Sequence, residues 1–442
     1  MNIQGLLGLV TVPKWRQRLG DIGTPKIVID DLISHLEANP VELIKQGEII
    51  LDPCCGHGSI LIEIARRAKK VLDAKTIAKH LYGYDIKHAK TARKLLANEL
   101  GLDIKFVNIF EEDSLKMKKL GIKDFRVVMN PPFNEEPGES RDDAGNSNNS
   151  ILYQSFVEKF AGTAKQVVSL NPAGWTIKSK DVKQYKDMGL KQVQFLPAKH
   201  FPTVTIRSGL TISNFVKDYD GDITVTTEGG STYTQSREED IKNITRETRS
   251  IIDKLCKHKT LDKFILKGSI VMPKGSKSSI ERACEIEPDN FKLAPTARFS
   301  KKTLAYVGDG KNFGFLYAKD ECDFYNNYKV VVSGATSKYY LGNVVVFGPD
   351  VGVCKNNFLL TFDNKKQADL YKCYLDSKLI RYVIKNVKFN DVVNTGTNSW
   401  GYIPHIDIAQ IEQLSKDKDF DFDNYLYKFF DLTQEEVKLI EA

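Results

Sequence analysis

Along the first half of the chain, apolar positions alternate between short unbroken runs and runs spaced at three and four residues. GEIILDPC (47–54) is continuously apolar until a glycine-rich stretch stops it, the pattern of a strand buried on both faces. In the following SILIEIARRAKKVLDA, Ile60, Leu61, Ile64, Ala65, Ala68, Val71 and Leu72 recur at helical spacing, with Glu63, Arg66, Arg67, Lys69 and Lys70 between them. That spacing predicts an amphipathic helix. HLYGYDI (80–86), DIKFVNIF (103–110) and FRVVMNPPF (125–133) read as further short strands, with a helix over Lys87–Leu100 between the first two. The double proline closes the last strand, because proline cannot continue a ladder. Repeated β–α units predict an α/β fold with a parallel, doubly wound sheet.

Residues 135–150 (EEPGESRDDAGNSNNS) hold nothing that can build a core and read as a polar loop. Regular pattern resumes with ILYQSFVEKFA, a helix, and then QVVSLNPAGW, KQVQFLPA and GLTISNFVK, which read as strands. Near Asp218–Gly221 the pattern changes to a Thr-, Gly- and Ser-rich stretch, a boundary or a hairpin. The expected domains are therefore 1–217 and 218–442. The second mixes a helix over Glu238–Ile265, short strands such as YKVVVSG and GNVVVFG, and a helix over 365–385, an α+β pattern with a charged, aromatic, helical tail.

Composition narrows this picture only a little. A chain of 442 residues, 41% hydrophobic and 27% charged, suits two or three globular domains. No apolar run approaches the ~18 residues of a membrane span. The opening MNIQGLLGLVTVPK has no basic residue ahead of its apolar stretch, so it is a poor secretory signal and a cytoplasmic location is expected. The seven cysteines (54, 55, 256, 284, 322, 354 and 373) are an odd, scattered set that argues against a disulfide framework. No CxxC pair or HxxxH spacing occurs, so no metal site is expected. A net charge of +7 permits a nucleic-acid partner without demanding one.

Three clusters carry chemistry. Asp52-Pro53-Cys54-Cys55-Gly56-His57-Gly58 ends the first strand and opens a helix, where glycines let a ligand approach the backbone. The dinucleotide fingerprint G-x-G-x-x-G fails here, since its third position is Leu61. A carboxylate at Asp52 would repel pyrophosphate and suits an ammonium or a sulfonium; the alternative is a tight turn without a ligand. Asp85 ends the next strand, where a carboxylate can accept two ribose hydroxyls or simply cap a turn. Asn130-Pro131-Pro132-Phe133 lies just beyond Val127-Val128-Met129, at the carboxyl end of a strand, where open α/β sheets bind ligands. The exocyclic amine of adenine is a poor nucleophile because its lone pair is delocalised into the ring. The Asn130 side-chain oxygen and the Pro131 carbonyl can each accept one N–H, localising that lone pair, while Phe133 stacks on the base. Pro131 and Pro132 limit the carbonyl's direction.

DPCCGHG, Asp85 and NPPF, in that order, resemble class I S-adenosylmethionine-dependent amino-methyltransferases, and specifically the gamma-type N6-adenine DNA methyltransferases of type II restriction-modification systems. Gly23-Thr24-Pro25 resembles the family's N-terminal cofactor motif, and Asp113-Ser114-Leu115 the motif that meets the cofactor's adenine. FPTVTIRSG (201–209) resembles the motif whose aromatic residue packs on the flipped base. The tail from YLDSKLIRYVIKN onward is similar to the C-terminal ends of many such enzymes. The resemblance implies a Rossmann-like doubly wound methyltransferase domain followed by an α+β target-recognition domain. It implies S-adenosyl-L-methionine as cofactor, held by Thr24, Asp52, Pro53, Cys54, Gly56, Gly58, Asp85, Ile86, Asp113 and Ser114. It implies catalysis by Asn130, Pro131, Pro132 and Phe133, with Phe133 and Phe201 stacking on the base. The implied partners are double-stranded DNA and a cognate restriction endonuclease, with no membrane. His57 and Arg207-Ser208-Gly209 depart from the family pattern; His57 reads as pointing away from the cofactor, and Cys54 and Cys55 as small packing residues.

A target adenine must leave the duplex to reach such a site. The polar loop 134–150 is expected to order on DNA. Lys267, Lys274, Lys277, Arg298, Lys301, Lys302, Lys385 and Lys388 are candidate phosphate contacts, and Asn386, Asn390, Asn394 and Asn398 candidate base readers. Structured RNA, a protein glutamine amide, and a catalytically silent DNA-binding fold are the alternatives. A fused nuclease is disfavoured, since no PD…(D/E)xK pattern stands in a strand context.

Overall fold

In the first half of the chain most strands form within the apolar runs that predict them. In the computed structural model the described residues are 23–117, 121–133, 152–177, 179–197, 200–201 and 209–267, then 291–294, 306–308, 311–313, 316–318, 324, 326–333, 344–349, 352–353, 357–387, 400–414 and 420–442. The chain divides into two units, one up to Asn243 and one from Ile244. Among the described residues no helix is long and apolar enough to cross a membrane.

In the first unit, helix α1 (Lys26–Ser34) follows Thr24-Pro25, and α2 (Pro40–Lys45) starts where Asn39 Oδ1 accepts from the Val41 N–H. Strand β1 (Ile49–Asp52) leads through the glycine loop to α3 (Ser59–Ala68), and α4 (Ala74–His80) leads to β2 (Leu81–Tyr84). Then follow α5 (Ala89–Leu100), β3 (Asn108–Phe110), β4 (Phe125–Met129), α6 (Leu152–Ala161), β5 (Gln166–Pro172), α7 (Ser179–Asp187), β6 (Leu190–Leu196), β7 (Leu210–Val216) and the hairpin β8 (Ile223–Thr226) and β9 (Thr232–Gln235).

These nine strands form one sheet in the order β3-β2-β1-β4-β5-β7-β6-β8-β9. The strands from β3 to β5 are mutually parallel. The order reverses direction at β1, which sits between β2 and β4, and this switch point is where an open α/β sheet leaves a crevice at its carboxyl end. Successive residues on the central strands face opposite layers. Ile50, Val128, Val168 and Leu170 join the core made by α1 to α5, while their neighbours Leu51, Val127, Met129 and Val167 are equally buried on the other face. Each such buried aliphatic side chain contributes about 1.5–3 kcal/mol.

The structure corrects four expectations for the first half of the chain. The helix after β1 ends at Ala68, leaving Val71 63% exposed, and Asp73 caps a separate α4. Within 103–110 only Asn108–Phe110 joins the sheet, because Asp103 caps a single 3-10 turn over Ile104–Phe106. The sheet is not wholly parallel: β7 runs against both β5 and β6. The division between units comes later than residue 217, because the Thr-rich stretch forms the β8–β9 hairpin, and β8 pairs with β6 in the first sheet.

In the second unit, strands Leu266–Lys267, Asn357–Phe362, Tyr328–Ser333 and Val344–Phe347 form an antiparallel sheet in that order. A three-stranded group (Leu316–Ala318, Phe291–Ala294, Gly352–Val353) and a two-stranded ribbon (Tyr306–Gly308 with Lys311–Phe313) accompany it. Val330, Leu360, Tyr371, Tyr374, Val383 and Trp400 share its core with Ile252 and Leu255 of the helix Arg246–Leu255. That helix replaces the longer one expected over 238–265, since Thr245 caps it. The helix expected over 365–385 is two, Lys365–Asp376 and Lys378–Val387, because Ser377 turns to an extended backbone (ψ 153°). Helices Phe422–Phe429 and Gln434–Glu441 form the expected tail, the last opened by a reciprocal Thr433–Glu436 cap.

Candidate active site

The site is built where β1, β2 and β4 end. Leu51 is level with Val127, so the residues that follow, Asp52 and Asn130, leave neighbouring strands at the same edge of the sheet. The Asn130 side chain donates from Nδ2 to Thr24 Oγ1 at 2.9 Å. Thr24 is buried, 106 residues away in sequence. This contact ties the segment ahead of α1 to the end of β4.

Asp52 is only 2% exposed. Its Oδ1 accepts from the Cys54 backbone N–H at 3.2 Å and from the Cys54 thiol at 3.8 Å. Burial pushes its pKa up to about 7; the Cys54 N–H opposes the rise and the charge of Asp85 adds to it. Burial also holds the Cys54 and Cys55 thiols far above their ordinary pKa, so neither is a ready nucleophile.

Asp85, at the end of β2, gathers two loops. Its Oδ2 accepts from the Gly56 N–H at 3.0 Å, and its Oδ1 from the N–H groups of Lys87 (2.8 Å) and His88 (2.6 Å). Of the two alternatives for this residue, the structure shows the cap: the carboxylate holds backbone N–H groups of both loops. The next residue, Ile86, is an apolar side chain left 60% exposed. Gly58 takes φ +82° at the start of α3, and a Cβ there would stand 3.2 Å from Ala92 Cβ. Gly83 of β2 is required by space: a Cβ would meet Leu61 Cδ1 at 3.0 Å and Cys55 Sγ at 3.1 Å.

Ser114 Oγ donates to the Pro53 carbonyl at 2.7 Å, so the turn after β3 is joined to the glycine loop. Asp113 makes a local turn, accepting from the Leu115 N–H at 3.0 Å and pairing with Lys116 at 3.3 Å. Pro131 is buried, and Pro132 and Phe133 are half-buried. Phe133 packs edge-on against Tyr153 of α6, ring centroids 6.3 Å apart.

The structure therefore gathers Thr24, Asp52, Pro53, Cys54, Gly56, Gly58, Asp85, Ser114 and Asn130 at one edge of the sheet, with Ile86 and Asp113 beside them. Phe201 differs: it is 5% exposed and packed in the same core layer as α1, its ring covered. His57 stacks on His88 with centroids 4.3 Å apart. Tyr153 and Lys159 of α6 were not visible as site residues, because only the tertiary fold brings that helix to Phe133 and to the turn after Asp113. Among the described residues no group of three or more His, Cys, Asp or Glu could hold a metal ion. Loop 134–150 lies outside the described residues, as do Lys274, Lys277, Arg298, Lys301, Lys302, Lys388, Asn390, Asn394 and Asn398. Asn386 is half-buried and donates to the Tyr382 carbonyl one helical turn back, at 2.8 Å.

Sequence comparison bears directly on this edge of the sheet. Residues 12–165 match the N-6 DNA Methylase family. The match holds Thr24, Asp52, Asp85, Asp113 and Asn130, and ends as β5 begins. No curated protein matches the chain. Among solved structures, the chain is similar to a candidate class I S-adenosylmethionine-dependent methyltransferase from Listeria monocytogenes (18% identity, 49% of this chain and 64% of that one, TM-score 0.34). It is also similar to the methyltransferase subunit of a type I restriction-modification system from Streptococcus thermophilus (17% identity, 46% of each chain, TM-score 0.35). A third is the type IIL restriction-modification enzyme MmeI in complex with DNA (14% identity, 97% of this chain and 76% of that one, TM-score 0.47). The chain spans less than two thirds of the length of the first two.

Proposed function

We propose that the chain is a site-specific DNA methyltransferase, carrying a methyl group from S-adenosylmethionine to the N6 amine of an adenine flipped out of the duplex. The observation that carries this reading is the placing of Asn130-Pro131-Pro132-Phe133 beside Asp52, with the Asn130 amide anchored by Thr24. The family match over residues 12–165 supports it.

The residues suit that cofactor. A buried carboxylate at Asp52, with no cation beside it among the described residues, calls for a cationic partner rather than a phosphate. Asp85 stands at the strand end where ribose hydroxyls are held in nucleotide-binding α/β folds, and exposed Ile86 offers an apolar surface to a base. Thr24, Asp52, Pro53, Cys54, Gly56, Gly58, Asp85, Ile86, Asp113 and Ser114 would hold it. When bound, S-adenosylmethionine supplies an electrophilic methyl group on its sulfonium.

The chain's own residues do the rest. Because Thr24 takes the donor end of the Asn130 amide, the oxygen is the end offered to the amine. That oxygen and the Pro131 carbonyl each accept an N–H, drawing the nitrogen lone pair out of the ring. Phe133, backed by Tyr153, would stack on the base and offset the few kcal/mol that unstacking costs. The methylated ammonium is acidic and loses its proton to solvent, so no separate base is required. Phe201 would need to leave its core position to stack as well. The unit from Ile244 would select the sequence, in a restriction-modification setting with a cognate endonuclease and a cytoplasmic location.

Labelled S-adenosylmethionine and unmethylated genomic DNA test this, with nucleoside analysis of the product and Asn130→Ala in parallel. Label in N6-methyladenine, lost in the variant, is the expected result. Label in N4-methylcytosine would change the base. Cofactor binding without transfer to DNA would move the substrate to RNA or protein, and no cofactor binding would leave a silent fold.

A further inference from the structure

Three tethers meet on the turn that follows β3. Asp113 folds it locally through the Leu115 N–H, and Ser114 fastens it to the Pro53 carbonyl of the glycine loop. The third comes from 42 to 44 residues further along the chain: Lys159 of α6 donates from Nζ to the carbonyls of both Leu115 (2.8 Å) and Met117 (2.6 Å). These are charge-assisted bonds from a half-buried ammonium to two carbonyls of one short turn, and they fix its orientation as a single neutral bond would not. The rest of α6 is anchored by Tyr153, Phe156, Val157 and Phe160, all buried, so Lys159 reaches out from a rigid support. Tyr153 on that same helix packs against Phe133.

We propose that Lys159 is a positioning residue for the cofactor's adenine subsite: it holds the 113–117 turn so that Asp113 meets the adenine amine. This rests on the reading of the site as an S-adenosylmethionine site. Lys159 touches neither cofactor nor substrate. It acts through the Leu115 and Met117 carbonyls, and it places the adenine subsite and the stacking surface of Phe133 on one helix.

The test uses the full chain and S-adenosylhomocysteine, with calorimetric binding to the wild type, Lys159→Met and Lys159→Arg. The Met variant is expected to bind roughly tenfold or more weakly, and the Arg variant within about threefold of wild type, because it keeps the charged donors. With cofactor saturating, kcat of the Met variant stays within about twofold, an effect on KM rather than on chemistry. S-inosylhomocysteine, which carries a carbonyl in place of the adenine amine, sharpens the assignment: the wild-type preference for the amine shrinks in Lys159→Met. Ser114→Ala, which cuts the opposite tether, should shrink it too and serves if the lysine variant does not fold. Unchanged affinity in Lys159→Met, or an equal loss for both ligands, overturns the proposal. A wild type that binds neither ligand overturns instead the cofactor reading on which it rests.

Discussion

At the amino-terminal end of the first sheet, Arg126 on β4 pairs with Glu37 and Glu48 and donates to Gln166 on β5. Gln166 and Asn214 bond to each other and both donate to the His35 carbonyl at the end of α1. Burial by itself would raise Glu37, but hydrogen bonds from Arg126 and Lys191 outweigh it and hold its carboxyl below the ordinary value. At the carboxyl end of the neighbouring β1, Asp52 is more deeply buried and has no such cation among the described residues, so burial wins and its pKa rises to about 7. The same sheet thus has one end where charges are satisfied within the protein and one where a charge is left for something else to satisfy. The first arrangement stabilises; the second lowers the stability of the free protein, as the proposed binding role would require.

Substitutions should separate these two ends. Asn130→Ala has the largest expected effect: methyl transfer falls by roughly 10²–10³ or more, as for removal of one hydrogen-bonding group aimed at a transition state, while the melting temperature barely moves. Retained transfer would remove Asn130 from the chemistry.

Asp52→Asn should act in two directions. Folding favours the protonated carboxyl, so its contribution is fully present below pH ~4 and lost as pH rises through about 7. Above that, keeping the ionised group buried costs the free protein on the order of 4 kcal/mol. The variant should therefore melt higher than the wild type at pH 8, with the gap closing towards pH 5, yet bind S-adenosylmethionine roughly tenfold to a hundredfold more weakly. The wild-type affinity should rise with pH through about 7, as the carboxylate ionises. A variant that melts lower at pH 8 would contradict the account.

Arg126→Met should do the reverse. Removing a side-chain cation that is only 11% exposed takes one of two cationic partners from each of Glu37 and Glu48, leaving Lys191 and Lys165, at a cost of about 2–3 kcal/mol, with kcat per folded molecule unchanged. A denaturation midpoint like that of the wild type would show that these pairs contribute nothing. Gly83→Ala has the smallest effect, about 1–3 kcal/mol from overpacking against Leu61, Cys55 and Ile109, and should weaken cofactor binding only through slight displacement of Asp85.

Much of the site was legible because its signals are local. Asp52, Asp85 and Asn130 each stand directly after an apolar run, and a strand's end can be read from the chain alone. Even so, Asp85 was readable only as a ligand residue or a cap, and the structure makes it a cap for two loops at once. Where expectation and structure part, the deciding force is local capping or long-range pairing. Asp73 and Ser377 interrupt helices whose apolar spacing runs on. The reversed β7 and the extra β8–β9 hairpin depend on which sheet edge was open, and hydrophobic pattern carries no strand direction.

The order of elements, the burial of the central strands and the residue types at their carboxyl ends were determined by the sequence itself, since each follows from neighbours within a few positions. The tertiary structure alone decided that Thr24 would hold Asn130, that Tyr153 would back Phe133, that Lys159 would clasp the turn after Asp113, and that Asp52 would be deeply buried. Each of these joins segments far apart in the chain or depends on how deeply a side chain is enclosed, and both are settled only when the sheet is assembled.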